Sequence, residues 1–228
     1  EVVDLRNELA MGNRSMLSFK LQDEIKKNLE NKKQTILFLN RRGYSTFIMC
    51  RECGYVATCK NCNISLTYHI TQNKLKCHYC GYEEKVATIC PNCKSSKIRY
   101  FGTGTQKIEE VIERNYPQAK ILRMDNDTTS VKNGHLKILE KFKNEDYNIL
   151  LGTQMVAKGL DFPNVTVVGV LGADSAMYSE DYRSFERTFS LLTQVVGRSG
   201  RGNSKGMAVI QTYTPDNLII SMAAKQDY

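Results

Sequence analysis

The sequence predicts an α/β protein in which helices cover both faces of a mostly parallel sheet, with one small cysteine-rich insert. Short apolar runs alternate with amphipathic helical segments along most of the chain, a pattern typical of strand–helix–strand units. All eight cysteines lie between Cys50 and Cys93. A chain of 228 residues is long enough for one substantial core, whereas so short an insert needs cross-links or metal ions to stay folded.

The chain before the cysteines predicts one helix and one buried strand. A helix is expected from Ser15 to Asn31, with Ser15 as its N-cap, because leucine or isoleucine recurs at positions 17, 21, 25 and 29. Thr35 to Leu39 is a continuous apolar run, as in a buried parallel strand. Val2 to Leu5 is either a short strand or part of a linker, and Tyr44 to Met49 is a further candidate strand.

Strands and helices alternate after the cysteines. The predicted strands are Ile98 to Phe101, Ile121 to Met124, Asn148 to Leu151, Val165 to Leu171 and Met207 to Tyr213. The predicted helices are Gln106 to Asn115, Leu136 to Phe142 and Tyr182 to Val196, with Leu136 and Phe185 among the side chains expected to face the core. The cysteine-rich segment is then an insertion into this series.

The cysteines form four Cys-x-x-Cys pairs. A turn of this spacing directs two thiolates at one metal ion, and zinc takes four ligands, so the sequence predicts two zinc sites. The residues between Cys62 and Cys77 alternate in polarity around Gln72-Asn73-Lys74 and predict a hairpin. This favours a nested arrangement, in which Cys59, Cys62, Cys77 and Cys80 hold an inner zinc ion and Cys50, Cys53, Cys90 and Cys93 hold an outer one.

Disulfides and redox-active pairs are the alternatives to zinc. Disulfides suit small secreted chains, which this sequence does not resemble, and a redox site needs one Cys-x-x-Cys rather than four. His69 and His78 lie nearby, but four thiolates leave no coordination position for them, so we interpret them as polar loop residues. Sites closed by four thiolates are structural, because a catalytic zinc ion keeps an open position.

The charge of the chain favours a polyanionic partner. The net charge is +8, and residues 50–97 contain seven basic and three acidic side chains. No apolar run approaches the ~20 residues of a membrane span. The first residues, Glu1-Val-Val-Asp-Leu-Arg, are neither a signal peptide nor an initiating methionine, so we expect the chain to be a piece of a larger cytoplasmic protein.

Two glycine-containing stretches are candidate ligand sites. Gly102-Thr-Gly-Thr105 opens a helix whose amides can bind a phosphate, although a simple tight turn explains it equally well. Gln194-Val-Val-Gly-Arg-Ser-Gly-Arg201 places Arg198 and Arg201 beside glycines, a spacing that suits a triphosphate or a transition-state charge. No Gly-Lys-Ser/Thr loop occurs, so the sequence predicts half of a two-lobed motor whose other lobe supplies the P-loop.

The motifs resemble those of the bacterial replication-restart DNA helicases of superfamily 2, the primosomal protein N′ (PriA) family, over essentially all 228 residues. The similar segments are Ile36 to Tyr44, Gly102 to Glu109, Arg123 to Thr129, Gly152 to Pro163 (motif V), Gln194 to Arg201 (motif VI) and the four cysteine pairs. The resemblance implies a RecA-like second helicase lobe at residues 1–49 and 98–228, with residues 1–14 as a linker from the first lobe and residues 50–97 as a two-zinc insert.

The resemblance also implies a function, namely ATP- and Mg²⁺-dependent 3′-to-5′ unwinding at stalled or forked DNA and restart of replication by primosome assembly. The implied partners are forked and single-stranded DNA, primosome proteins, single-strand-binding protein and the replicative helicase loader. The implied location is the bacterial cytoplasm at the nucleoid, with no membrane partner. We expect the chain alone to lack ATPase activity, because the lobe with the P-loop is missing.

The family's residue roles carry over to the matching positions. Arg198 and Arg201 would reach ATP, with Arg201 as the arginine finger, and Gln194 would couple ATP to DNA. Asp161 and Gly159 would complete the ATP site. The residues implied to contact DNA backbone phosphates, by electrostatic contacts without sequence preference, are Thr153, Thr103, Thr105, Arg41 and Arg42.

Two roles are open for the zinc insert. It is either a wedge at the fork or a docking surface for primosome proteins, and the side chains considered for the wedge are Lys60, Lys74, Lys76, Tyr68 and Tyr79. The alternative to the helicase is a non-enzymatic zinc module that binds nucleic acid or protein, with the α/β part as a scaffold. The Gln194 to Arg201 stretch favours the helicase, since a scaffold has no use for two arginines in a glycine-lined loop.

Overall fold

The computed structural model of this chain describes residues 1–39, 47–101, 104–129, 134–144, 147–153, 162–178, 183–197 and 206–227. Its strands are β1 (Val2–Asp4), β2 (Gln34–Leu39), β3 (Phe47–Cys50), β4 (Thr67–His69), β5 (Lys74–Lys76), β6 (Glu83–Lys85), β7 (Ile98–Phe101), β8 (Ile121–Met124), β9 (Ile149–Gly152), β10 (Val165–Leu171) and β11 (Met207–Thr212). Six of them form a parallel sheet in the order β1-β11-β10-β2-β9-β8. The predicted mostly parallel α/β fold is therefore confirmed.

The other five strands form an antiparallel sheet in the order β6-β5-β4-β3-β7. We call residues 47–101, which contain this sheet and all eight cysteines, the Cys-rich module. The predicted hairpin is present, with Tyr68 opposite Leu75. The sequence assigned Ile98 to Phe101 to the larger part of the chain, but this strand pairs with β3. The proposed division at residues 49/50 and 97/98 stays a prediction.

Helices cover both faces of the parallel sheet. They are α1 (Leu5–Ala10), α2 (Phe19–Glu30), α3 (Thr105–Asn115), α4 (Asn126–Thr129), α5 (Gly134–Lys143), α6 (Asp174–Met177), α7 (Ser184–Val196) and α8 (Leu218–Lys225). One hydrophobic cluster joins α2 and α3 to the sheet, and another joins α5, α7 and α8 to its opposite face. No helix in the described part of the chain combines the length and apolar character needed to span a membrane.

The central strands explain why the sheet is covered twice. Every residue of β2 and β10 is buried, and successive side chains alternate between the two clusters. Ile36 and Phe38 point to one cluster, whereas Leu37 and Leu39 point to the other. Leu136 and Phe185 were expected in the core but are exposed, because each lies in the first turn of its helix.

The start of α2 differs from the prediction. Its N-cap is Ser18, whose hydroxyl accepts a hydrogen bond from the Leu21 amide at 3.2 Å, and the helix begins at Phe19. Ser15 instead accepts from the Leu17 amide at 3.1 Å in the preceding turn. The amide of Ser18 donates to Gln211 Oε1 in β11 at 2.7 Å. A tertiary contact thus fixes where the helix begins.

Gly169 in β10 lets α2 approach the sheet closely. A Cβ at this position would lie 2.9 Å from both methyl groups of Leu21 and 2.8 Å from a methyl group of Leu37. We expect Gly169→Ala to lower the free energy of unfolding by about 1–3 kcal/mol through overpacking. Denaturant unfolding of Gly169→Ala, Leu21→Ala and the double variant tests this. If the two costs simply add, the close contact with Leu21 is not the cause.

Candidate metal centres and nucleic-acid interface

The eight cysteines form two groups with the predicted nested membership, Cys50, Cys53, Cys90 and Cys93 in one and Cys59, Cys62, Cys77 and Cys80 in the other. All eight are free, and the sulfur atoms of each group lie within 4.8 Å of one another. The Sγ–Sγ distances are 3.6 Å for Cys50/Cys93 and 3.5 Å for Cys59/Cys80. Four thiolates at about 2.3 Å from a zinc ion would stand about 3.8 Å apart, so the groups are compatible with two zinc ions.

Each cysteine pair forms the same tight turn. In every pair the backbone amide one residue after the second cysteine donates to the carbonyl oxygen of the first, at 2.9–3.0 Å. The residue at that position has a positive φ in all four turns, and the four residues are Gly54, Asn63, Gly81 and Lys94. Glycine and asparagine adopt this conformation most readily, so the sequence already suits three of the four turns.

An asparagine donates to a cysteine sulfur in each group. Asn61 lies 3.6 Å from Cys80 Sγ, and Asn92 lies 3.5 Å from Cys53 Sγ. A hydrogen bond from the Tyr82 amide lowers the pKa of Cys80 to about 6. Burial acts to raise the pKa of Cys53, but hydrogen bonds that include the one from Asn92 lower it to about 7.

Other thiols of the same groups resist ionisation. Burial raises the pKa of Cys50 to about 12. Hydrogen bonding to Cys80, together with burial, raises the pKa of Cys62 to about 12. Four thiolates therefore need a bound cation to coexist at this spacing, as in a structural zinc site.

Lys94 is the one poorly suited residue among the four turns. Its φ is +61°, a conformation that costs a non-glycine residue about 1 kcal/mol. We expect Lys94→Gly to raise the free energy of unfolding of the metal-loaded chain by up to about 1 kcal/mol, and Lys94→Ala not to raise it. Denaturant unfolding with metal content held at two ions per chain measures both. Equal stability of the two variants would show that backbone strain is not the cause.

The surface of the Cys-rich module neutralises part of its own charge. Lys74 and Lys76 both pair with Glu83, at 3.2 and 3.1 Å, and Lys60 lies over the Tyr82 ring at 5.8 Å. Tyr68 stacks on Tyr100 with ring centroids 6.1 Å apart. His69 and His78 contact each other through Nε2 at 2.9 Å. Both were predicted to be loop residues, but His69 is the last residue of β4.

Tyr79 is the more accessible of the two tyrosines considered for a wedge. It is 59% exposed, and Ile70, at 66%, and Tyr100, at 54%, are further exposed side chains of the module. A surface with these aromatic side chains can stack against bases or against a protein, so both predicted roles of the insert stay predictions.

Thr105 and Thr153 lie at adjoining places on the carboxyl edge of the parallel sheet. The Thr153 amide donates to the Met124 carbonyl at 3.2 Å, and the next residue, Asp125, accepts from the Thr105 hydroxyl at 2.6 Å. Thr105 is only 7% exposed, and its hydroxyl already donates a hydrogen bond to Asp125. The amides at the start of α3 have no side-chain cap from Gly104 and are the better phosphate donors there.

Asp125 organises this edge, although no role was predicted for it from the sequence. Burial acts to raise its pKa, but hydrogen bonds from Thr105 and Thr128 and the charge of Arg123 hold the pKa of Asp125 below its ordinary value. The Arg123 guanidinium lies 2.9 Å from Asp125 and 2.8 Å from Glu109. An aspartate close to the end of a strand was the available signal. Asp125 directly follows β8, and Asp174, which is fully buried, lies three residues after the end of β10.

Gln194 lies in the last turn of α7 and is exposed. Its Nε2 contacts Ser190 Oγ at 3.4 Å. Because α7 ends at Val196 and β11 begins at Met207, the stretch after Gln194 leads to the amino end of a parallel strand. The remaining predicted ATP and DNA residues lie outside the described part of the chain, namely Arg41, Arg42, Thr103, Gly159, Asp161, Arg198 and Arg201.

Two protein families match the chain. The PriA DNA helicase Cys-rich region domain matches residues 59–85, and the helicase conserved C-terminal domain matches residues 83–203. The solved C-terminal domain of the DEAD-box protein Dbp5 covers 99% of this chain and 82% of its own, at 11% identity and a TM-score of 0.45.

Curated relatives match the whole chain. The replication restart protein PriA of Bacillus subtilis is 54% identical over 227 residues, and that of Synechocystis is 45% identical over 232 residues. Both matches cover 100% of this chain and 28% of the relative, so the chain spans somewhat more than a quarter of these proteins. The predicted resemblance is confirmed.

Proposed function

Since the chain belongs to the helicase conserved C-terminal domain family, we propose that it is the second motor lobe of an ATP-dependent 3′-to-5′ DNA helicase that restarts replication. The lobe would contribute arginines to an ATP site completed by a P-loop lobe. The proposal rests above all on the match to PriA along the whole chain at 54% identity. Motif VI from Gln194 to Arg201 lies within that match.

The order of strands supports a path for DNA along the carboxyl edge of the sheet. Thr153 follows β9, Asp125 follows β8, and the Cys-rich module continues from β2 toward the ends of β10 and β11. Neighbouring strands lie about 4.8 Å apart, so a phosphate at Thr153 would be within about 10–15 Å of the module. Single-stranded DNA bound at Thr153 would thus pass beside the Cys-rich module.

The proposal assigns the ATP-dependent steps to residues beyond the described ranges. Arg201 would stabilise the charge that develops on the γ-phosphate, Arg198 would bind the phosphates, and Asp161 and Gly159 would contact the nucleotide. With Mg²⁺ and the P-loop supplied by another lobe, this chain alone would bind DNA weakly and hydrolyse no ATP. Its place would be the bacterial cytoplasm, at the nucleoid.

The proposed partners are those expected of a replication-restart helicase. Forked and single-stranded DNA would be bound through phosphates, with strong salt dependence. Primosome proteins, single-strand-binding protein and the replicative helicase loader would be reached through the whole helicase. The exposed side chains of Ile70, Tyr79 and Tyr100 are the part of the Cys-rich module offered to unstacked bases.

A chimera tests the proposal. This chain replaces the matched 227-residue segment of Bacillus subtilis PriA, and forked DNA is unwound with and without ATP. We expect ATP-dependent unwinding by the chimera, and neither ATPase activity nor unwinding by the isolated chain. A folded, zinc-loaded chimera that binds ATP and DNA but never unwinds would contradict the proposal, as would ATPase activity of the isolated chain.

A further inference from the structure

The Cys-rich module contacts the parallel sheet at the carboxyl ends of β10 and β11. The contact contains a small hydrophobic cluster in which Phe47, Met49 and Val56 of the module pack against Tyr178 and Tyr213. The Phe47 and Tyr178 rings lie 5.5 Å apart. The module is joined to the rest of the chain by two connecting segments, which by themselves would allow it to rotate relative to the sheet. The side-chain contacts therefore determine how far this motion is restricted.

Gly54, in the first cysteine turn, fits closely against the sheet. A Cβ at Gly54 would lie 2.7 Å from the carbonyl oxygen of Tyr213 and 2.9 Å from the methyl group of Thr214. Gly81, in the third turn, also has a φ of +76°, but nothing lies within 4 Å of its added Cβ. The two glycines therefore share a backbone conformation and differ in whether the sheet touches them.

A residue just after the second cysteine turn also contacts this edge of the sheet. Ser65 is 7% exposed, and its hydroxyl donates to the Tyr178 carbonyl at 2.8 Å. Gly54 directly follows Cys53 of the outer cysteine group, and Ser65 lies three residues after Cys62 of the inner group. Residues next to both cysteine groups therefore contact the edge of the sheet, Gly54 at Tyr213 and Ser65 at Tyr178.

Asp174 shapes the surface that receives the module. Its Oδ1 accepts from the hydroxyl groups of Thr212 and Thr214 at 2.8 and 2.7 Å, and its Oδ2 accepts from the Tyr213 amide at 3.0 Å. The carboxylate is completely buried. Burial raises the pKa of Asp174, because the ionised carboxylate is less stable away from water. Its three bonds hold the residues that contact Gly54 in one conformation.

We infer that Asp174 and Gly54 lock the Cys-rich module onto the parallel sheet, so that module and sheet move as one rigid body. Asp174 is a positioning residue in this arrangement, since it acts through Tyr213 and Thr214. When the sheet moves, the exposed surface around Tyr79 then moves with it by the same amount, because no flexible hinge lies between them.

Distance measurement by pulsed electron paramagnetic resonance tests the lock in the zinc-loaded chain. Spin labels are attached through non-natural amino acids at Lys26 and Tyr79, both exposed, so that the cysteines stay free for metal. We expect one narrow distance distribution for the unsubstituted chain and for Gly81→Ala. Gly54→Ala and Asp174→Asn should broaden or shift it while both zinc ions remain bound.

Ser65→Ala covers the case in which Gly54→Ala fails to fold, since it removes one hydrogen bond and adds no clash. Asp174→Asn leaves one acceptor oxygen in place of two, so either the Tyr213 N–H or the hydroxyl groups of Thr212 and Thr214 lose their acceptor. A broad distribution in the unsubstituted chain would overturn the lock. An unchanged narrow distribution in both Asp174→Asn and Gly54→Ala would also overturn it. If Gly54→Ala does not fold, the same conclusion follows from an unchanged distribution in both Asp174→Asn and Ser65→Ala.

Discussion

Removal of the metal ions should unfold residues 47–101 and leave the six-stranded parallel sheet folded. The main hydrophobic cluster of the module has nine buried residues, and four of them are Cys50, Cys59, Cys77 and Cys90. A module whose core consists so largely of ligands has little apolar burial to keep it folded. Structural zinc contributes on the order of 10 kcal/mol or more of apparent binding free energy per site, so the loss should be complete.

Hydrogen exchange with and without a chelator measures this result. Amide protection should vanish in β4 and β5 and persist in β2 and β10. Cys77→Ser is the matched variant, since it should leave one zinc ion per chain. Full protection of β4 and β5 after metal removal would contradict the prediction.

Replacement of Arg201 by alanine in the chimera should lower the rate constant of ATP hydrolysis by on the order of 10³-fold. An arginine that neutralises charge developing on the γ-phosphate acts in the transition state, so ATP affinity and DNA affinity should change far less. The same substitution in the isolated chain should leave its free energy of unfolding nearly unchanged. This combination separates a catalytic role from a structural one.

Arg187→Ala is the control for Arg201→Ala. Arg187 is exposed on α7, the helix that leads to motif VI, and lies outside the glycine-lined stretch. Steady-state ATPase assays with saturating single-stranded DNA compare the two variants. Hydrolysis by Arg201→Ala within a few-fold of the unsubstituted chimera would rule out the arginine finger.

The sequence predicted elements whose signal is local. Ile121 to Met124 and Val165 to Leu171 are strands with the predicted bounds. Every residue of the second strand is buried, as a largely apolar run of strand length predicts. The hairpin between Cys62 and Cys77 follows from alternation over a few residues. Patterns of this kind depend only on neighbours in the chain, so the sequence carries them in full.

Residues with long-range partners were predicted less well. Ser18 rather than Ser15 starts α2 because Gln211, 193 residues away, holds its amide. The hydroxyl of Thr105 binds Asp125, 20 residues away, a contact that the sequence did not predict. Nothing in the local pattern around these residues names the distant partner that decides their conformation.

By itself, the sequence determined that the eight cysteines form four Cys-x-x-Cys turns, and it favoured the nested grouping that the structure shows. It also determined the α/β class, through the alternation of strand and helix. Only the tertiary structure decided that β3 and β7 belong to the second sheet and that Gly54, Ser65 and Asp174 join the two parts. These contacts depend on which strand ends lie side by side, and strand order is set by packing across the whole chain.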